Sequence, residues 1–174
     1  MKKCLVTGGC GFIGSNYIRT ALDREENLHV VNLDKLTYAG NIQNLDGISS
    51  KNLTIVKGDI CDVDLVNSLF EKHHFDTVVH FAAESHVDRS IEGPAEFIQT
   101  NVIGTFSLLQ SALNYWETLT AGKRSKFRFH HVSTDEVYGD LNDHEPAFVE
   151  TTPYDPSSPY SASKASSDHL VRAW

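Results

Sequence analysis

The sequence predicts an α/β fold, a doubly wound parallel sheet with helices on both faces. Short apolar, β-branched runs alternate with longer segments of helical spacing along the chain. A glycine-rich turn, Gly8-Gly9-Cys10-Gly11-Phe12-Ile13-Gly14, joins the first run to the first helical segment. The run Thr77-Val78-Val79-His80-Phe81 is mostly apolar and β-branched without polar alternation, the character of a buried parallel strand.

Each element follows from local signals. The first strand is expected over 3–7, then the glycine turn and a helix to about Arg24. A second strand, 29–33, ends at Asp34. Residues 35–52 are polar, and Gly40, Asn41, Gly47 and Ser49-Ser50 mark a loop with room for one short helix. A third strand covers 53–57 and a helix 62–73, with Asp62 as its N-cap. After the strand at 77–81, Pro94 opens a long helix to about Thr118, since proline is tolerated in a first turn. A fifth strand, 127–132, and a helix, 160–174, complete the pattern. Pro146, Pro153, Pro156 and Pro159 keep the 139–159 loop ordered without helix, and a loop of that length is more often functional than idle. The last helix carries no Gly or Asn stop signal and no proline beyond it. The sheet is therefore expected to be truncated after the fifth strand and the helix that follows.

Composition excludes several classes. The chain has 174 residues, 40% hydrophobic, with 15 Lys+Arg against 23 Asp+Glu and a net charge of −8. That supports a real core and argues against a disordered or fibrous chain. No apolar run approaches the ~20 residues of a membrane span. After Met1-Lys2-Lys3 the apolar stretch lasts only through Cys4-Leu5-Val6, so a secretory signal is not expected and the location expected is cytoplasmic. No Lys/Arg stripe is present to neutralise phosphates, so neither nucleic acid nor membrane is an expected partner. Cys4, Cys10 and Cys61 are odd in number and form no C-x-x-C pair, against a disulfide framework or zinc. His130-His131 are neighbours on a strand and point to opposite faces, so they cannot easily share one ion and no metal is expected. Phe97, Phe106, Tyr115 and Trp116 on the long helix are expected to serve core packing.

The spacing Gly8-x-x-Gly11-x-x-Gly14 has a specific chemistry. It needs a tight turn, a close backbone approach to a pyrophosphate and close helix–strand packing, all of which glycine allows. The helix beginning at Phe12 then offers free N–H groups and partial positive charge to phosphates. Asp34, twenty residues after Gly14, stands where a carboxylate accepts hydrogen bonds from an adenosine ribose and repels a 2′-phosphate. This is the pattern of a Rossmann-type, NAD-preferring domain, with Lys35 as the one feature that softens the preference. Asp59-Ile60 follows the third strand at the adenine edge, although an acid there is also an ordinary helix-start residue. Ala82, Ala83, Glu84 and Ser85 follow the fourth strand, where small residues let a cofactor pass over the strand ends.

Tyr160 and Lys164 are four apart, one helical turn and one face. A lysine ammonium there is expected to lower a tyrosine pKa that starts near ~10, leaving a phenol poised to take a proton from a sugar hydroxyl. Thr134 stands just past the fifth strand. Asp135 and Glu136 follow it and offer an acid and a base for eliminating water. Away from a cofactor crevice, adjacent acids are simply a solvated pair.

Together these residues resemble the extended short-chain dehydrogenase/reductase family, and within it the sugar-nucleotide 4,6-dehydratases. The resemblance runs along essentially the whole chain, through Val6-Thr7-Gly8-Gly9 to Gly14, Asp34-Lys35-Leu36-Thr37-Tyr38-Ala39-Gly40-Asn41, Ala83-Glu84-Ser85-His86-Val87-Asp88-Arg89-Ser90, Ser133-Thr134-Asp135-Glu136-Val137-Tyr138-Gly139 and 157–174. It implies tightly bound NAD and a nucleotide-sugar substrate, dTDP-glucose. It also implies that Gly8, Gly11, Phe12, Ile13, Gly14, Asp34, Lys35, Leu36, Thr37, Asp59, Ile60, Phe81, Ala82, Ala83, Glu84, Thr100, Tyr160 and Lys164 touch NAD. Ser85 and Thr134 would touch the substrate. Tyr160 would be the base at the sugar 4-hydroxyl, Glu136 would remove the carbon 5 proton, and Asp135 would protonate the departing carbon 6 hydroxyl. Cys10 stands where the family usually has alanine. Residues 1–174 are then an incomplete NAD-binding domain, lacking the C-terminal substrate domain, from an enzyme expected to be a homodimer through helices that include the long one. Three other readings compete: an NAD-dependent 4-epimerase, which resembles small residues where this chain has Asp135-Glu136; a dehydratase acting on UDP-glucose; and a cofactor-binding fragment without turnover.

Overall fold

The computed structural model describes residues 1–49 and 51–174, so Ser50 of the Ser49-Ser50 loop signal lies outside the described residues. Five strands form one sheet: β1 (Lys2–Thr7), β2 (Leu28–Asp34), β3 (Leu53–Lys57), β4 (Thr77–His80) and β5 (Arg128–His131). All pairings are parallel and the order is β3-β2-β1-β4-β5. The helices are α1 (Phe12–Arg24), α2 (Val63–His73), α3 (Val87–Glu92), α4 (Pro94–Phe97), α5 (Thr105–Thr118), α6 (Ala121–Arg124) and α7 (Pro159–Ala173). Each expected strand is present, within a residue or two of its expected ends. The short helix allowed between the second and third strands is a 3-10 turn at Ile42–Leu45.

The described residues fall into two compact units, one of Met1–Ala82 with Ser107–Val132 and one of Ala83–Phe106 with Ser133–Trp174. The first contains the sheet. Side chains alternate along its parallel strands. Leu5, Val31, Leu33 and Val78 face one side, where Val66, Leu69 and Phe70 of α2 and Leu108 and Ala112 of α5 cover them. Cys4, Val6, Val30 and Val79 face the other, packed with Ile18 of α1 and Leu45 of the 3-10 turn. The predicted fold class is therefore the observed one, with apolar layers on both faces of the sheet. The helix starts behave as the sequence signals require. Asp62 caps α2 by accepting the Leu65 N–H at 3.0 Å. The helix ends on His74, whose φ of 55° is left-handed.

The long helix departs from expectation. Residues 94–118 are helical throughout, but Ile98–Gly104 is a π-helical segment between α4 and α5. A π segment widens the turn and shifts which residues face inward, and here Asn101 is turned in and buried. The boundary between the two units falls after Phe106, inside this helix. α3 and α6 were not expected. Both are short, and neither has a side-chain N-cap to announce it.

Candidate cofactor and catalytic sites

In the sheet unit the order reverses beside β1, whose neighbours are β2 and β4, and ligands of open α/β sheets bind at the carboxyl ends of strands at such a point. Gly8 sits there with φ +72°, and a Cβ on it would lie 2.6 Å from the Ala82 nitrogen. Gly14 in the first turn of α1 is pressed against the Gly8 carbonyl, which a side chain would overlap. Gly11 is the N-cap of α1, where no side-chain cap and no first-turn acid occurs. The first-turn amides of an α-helix have no intrahelical acceptor, so this helix start presents donors and positive dipole with nothing of its own to satisfy them. Phe12 and Ile13 are 82% and 62% exposed. The cradle fits a pyrophosphate with apolar groups beside it.

Asp34 ends β2 and is buried. Its Oδ2 accepts the Cys10 N–H and its Oδ1 the Leu36 N–H, each at 2.8 Å. The same carboxylate thus shapes the glycine turn and the loop after β2, where Leu36 takes a left-handed φ of 55°. Thr37 is half-buried in that loop. Lys35 Nζ lies 2.8 Å from Asp59 Oδ2; burial pushes the Asp59 carboxyl up, but Lys35 and Cys61 together hold it below its usual range. Asp59 Oδ1 accepts the Cys61 N–H, an Asx turn just before the Asp62 cap. Ile60 points into the core, leaving its backbone as the part able to meet a ligand. Phe81 packs against Tyr17, with Ala82 beside it.

In the second unit, Ala83 and Glu84 are half-buried and Ser85 exposed. Asn101 holds this segment: its Oδ1 accepts the Glu84 N–H at 2.8 Å, and its amide donates to the Glu84 carbonyl at 2.9 Å and to Ser163 Oγ at 2.8 Å. Thr100, beside it in the π segment, is half-buried. α7 begins with a capping box between Ser158 and Ser161 and with Pro159 in its first turn. Its buried face carries Tyr160, Lys164 and small residues including Ser163 and Ser167, so the helix packs closely.

Thr134 caps a 3-10 turn, Asp135–Tyr138, accepting the Glu136 N–H at 3.3 Å, while buried Val137 anchors the turn. Asp135 and Glu136 are exposed. The structure brings the Thr134 hydroxyl close enough to the Tyr160 phenol to favour its ionised form, with Glu136 and Asp135 near enough to act on the tyrosine electrostatically.

The expectation that Lys164 lowers the Tyr160 pKa is corrected. Burial pushes the Tyr160 phenol up, and Glu136, Asp135 and Asp168 add to that, while the nearby Thr134 hydroxyl opposes them. Lys164 is 4% exposed, and burial pulls it down to about 8, against the pull of Asp168. Although its side chain reaches solvent, partial withdrawal of the Glu136 carboxyl from water pushes it up, reinforced by Asp135 and Asp140. Among the described residues no group of three His, Cys, Asp or Glu is placed to hold a metal ion, and no helix is long and apolar enough to cross a membrane.

Sheet order, glycine turn and the capped loop after β2 define a Rossmann-type α/β domain, here joined to a Thr-Asp-Glu turn and a Tyr-x-x-x-Lys helix. The sequence matches the family model described as GDP-mannose 4,6 dehydratase over residues 5–174, and the chain belongs to that family. It is 57% identical over 181 residues to dTDP-glucose 4,6-dehydratase 1 of Escherichia coli (strain K12), covering 99% of this chain and 50% of that protein. It is 56% identical over 175 residues to the dTDP-glucose 4,6-dehydratase of Haemophilus influenzae, covering 100% of this chain and 52% of that protein. Among solved structures, the dTDP-glucose 4,6-dehydratase DesIV of Streptomyces venezuelae, with NAD bound, superposes with a TM-score of 0.85 at 45% identity, over 98% of this chain and 51% of that one. The chain spans about half the length of the relatives it matches.

Proposed function

We propose that residues 1–174 serve as the NAD-binding and catalytic portion of a hydro-lyase, a sugar-nucleotide 4,6-dehydratase that converts dTDP-glucose to dTDP-4-keto-6-deoxyglucose and water. The observation that carries this reading is the single turn that sets Thr134 beside Tyr160 and carries Asp135 and Glu136 directly after it. A 4-epimerase needs the tyrosine but has no elimination to catalyse, so it leaves the carboxylate pair without a task.

The residues fit NAD. In the sheet unit, Gly8, Gly11, Phe12, Ile13 and Gly14 would hold the pyrophosphate, with Asp34, Lys35, Leu36 and Thr37 at the ribose and Asp59, Ile60, Phe81 and Ala82 around the adenosine. In the second unit, Ala83, Glu84, Thr100, Tyr160 and Lys164 would serve the nicotinamide end. NAD, when bound, supplies a reversible hydride acceptor. Tyr160 takes the proton of the sugar 4-hydroxyl, and Thr134, beside it, is the neighbour that eases that ionisation against burial. Thr134 and Ser85 hold the sugar, and Lys164 positions the nicotinamide ribose. Once carbon 4 is a ketone, the carbon 5 proton is acidic and Glu136 removes it. A raised carboxyl pKa makes Glu136 a stronger base than an ordinary glutamate. Asp135 gives a proton to the carbon 6 hydroxyl as water leaves. The hydride first taken from carbon 4 would then return to carbon 6 while Glu136 gives its proton back to carbon 5, so the 4-keto-6-deoxy sugar forms with no net oxidation.

Glu136→Gln tests the assignment. The variant should still reduce NAD when dTDP-glucose is added yet release little keto product, and product formed at the normal rate refutes the role. Exposed Ile98, Ile103 and Phe106 support pairing of two copies, and the acidic balance supports a cytoplasmic enzyme that engages neither nucleic acid nor membrane.

A further inference from the structure

Asp168 stands on the same face of α7 as Lys164 and Tyr160, one and two turns further along, and is 7% exposed. Its Oδ2 accepts the Ser133 hydroxyl at 2.5 Å and the Tyr154 hydroxyl at 3.0 Å. Ser133 directly precedes Thr134. Tyr154 belongs to the proline-bearing loop, and its ring packs edge-on against Tyr138 of the Thr134 turn at 5.2 Å. One buried carboxylate therefore ties together the turn that carries Thr134, Asp135 and Glu136, the loop at 139–159, and the helix that carries Tyr160 and Lys164.

A carboxylate this far from water needs donors and a countercharge. The two hydroxyls are the donors, and the buried cation on its own helix face is Lys164. The segments packed against α7 bring other charges: Asp88, Arg89 and Glu92 on α3, Glu96 on α4, and Asp135 and Glu136 on the turn. Asp168 acts electrostatically on Lys164, holding its proton against the pull of burial.

We propose that Asp168 is a positioning residue for the reaction, the countercharge of Lys164 and the shared acceptor that fixes the Thr134 turn and the proline-bearing loop to the catalytic helix. This rests on the reading of Lys164 as a cofactor-binding group. Asp168→Asn is the informative variant, because asparagine keeps the shape and an acceptor oxygen for both hydroxyls but removes the charge.

The first measurement is urea unfolding of the 174-residue chain at pH 7, for the wild type, Asp168→Asn, Lys164→Met and the double variant. Loss of the countercharge should cost about tenfold or more in the folding constant with lysine at 164, and much less with methionine there. Folding of the double variant but not of Asp168→Asn supports the proposal. Equal losses in both backgrounds, or failure of both to fold, overturn it.

The second measurement is NAD affinity by calorimetry from pH 6 to 10. Affinity of the wild type should fall above about pH 8, as Lys164 loses its proton, and in Asp168→Asn the fall should begin about one pH unit lower. A fall at the same pH in both overturns the proposal. If the wild-type chain binds no NAD, the cofactor reading fails by itself, and the unfolding cycle still decides for or against the Asp168–Lys164 link.

Discussion

Lys35 and Asp59 form a 2.8 Å ion pair that joins the loop after β2 to the loop after β3. The lysine that follows Asp34 is thus already engaged by a carboxylate, and on the proposed reading Asp34 sets the cofactor preference. NAD should bind this chain more tightly than NADP. Asp34→Ala should weaken NAD binding and narrow that preference. It should also cost about 1–3 kcal/mol of stability, because the Cys10 and Leu36 amides lose their acceptor. Calorimetric titration with both dinucleotides checks this, and an unchanged affinity ratio counts against the role.

His74 closes α2 in a left-handed conformation that glycine adopts at no steric cost. His74 is exposed, so His74→Gly should stabilise the chain by about 0.5–1 kcal/mol. A urea midpoint that does not rise contradicts the assigned conformation.

Lys164 makes stability depend on pH in a definite sense. Its ordinary value is 10.5 and its folded value about 8, so between those limits the unfolded chain binds the extra proton. Stability from this group therefore rises as pH climbs from about 8 to 10.5 and is reduced below that window. Relative to Lys164→Met, the wild type should gain on the order of 3 kcal/mol across it. A flat difference between the two proteins over that range would show that Lys164 is not buried as described.

Much of this was legible in the sequence because its causes are local. The strand positions follow from β-branched runs, the α2 start from Asp62, and the glycine turn from positions where a Cβ has no room. The Tyr160–Lys164 face follows from helical spacing alone. What was not legible depends on partners distant in sequence. Nothing in Ile98–Gly104 announces a π segment; its reason is Asn101, which turns inward to bond Glu84 and Ser163. Spacing placed Lys164 beside Tyr160, but it could not show that burial would push the tyrosine up and the lysine down. Asp168 carried one usable signal, its place four residues beyond Lys164 on the same face, while its hydroxyl partners Ser133 and Tyr154 emerge only on folding.

The most direct test of the proposed chemistry is to incubate this chain with dTDP-glucose and NAD and follow the sugar nucleotide by mass spectrometry. A product lighter by one water is expected when NAD is present, and none when NAD is stripped away. NAD bound with dTDP-glucose returned intact would contradict it.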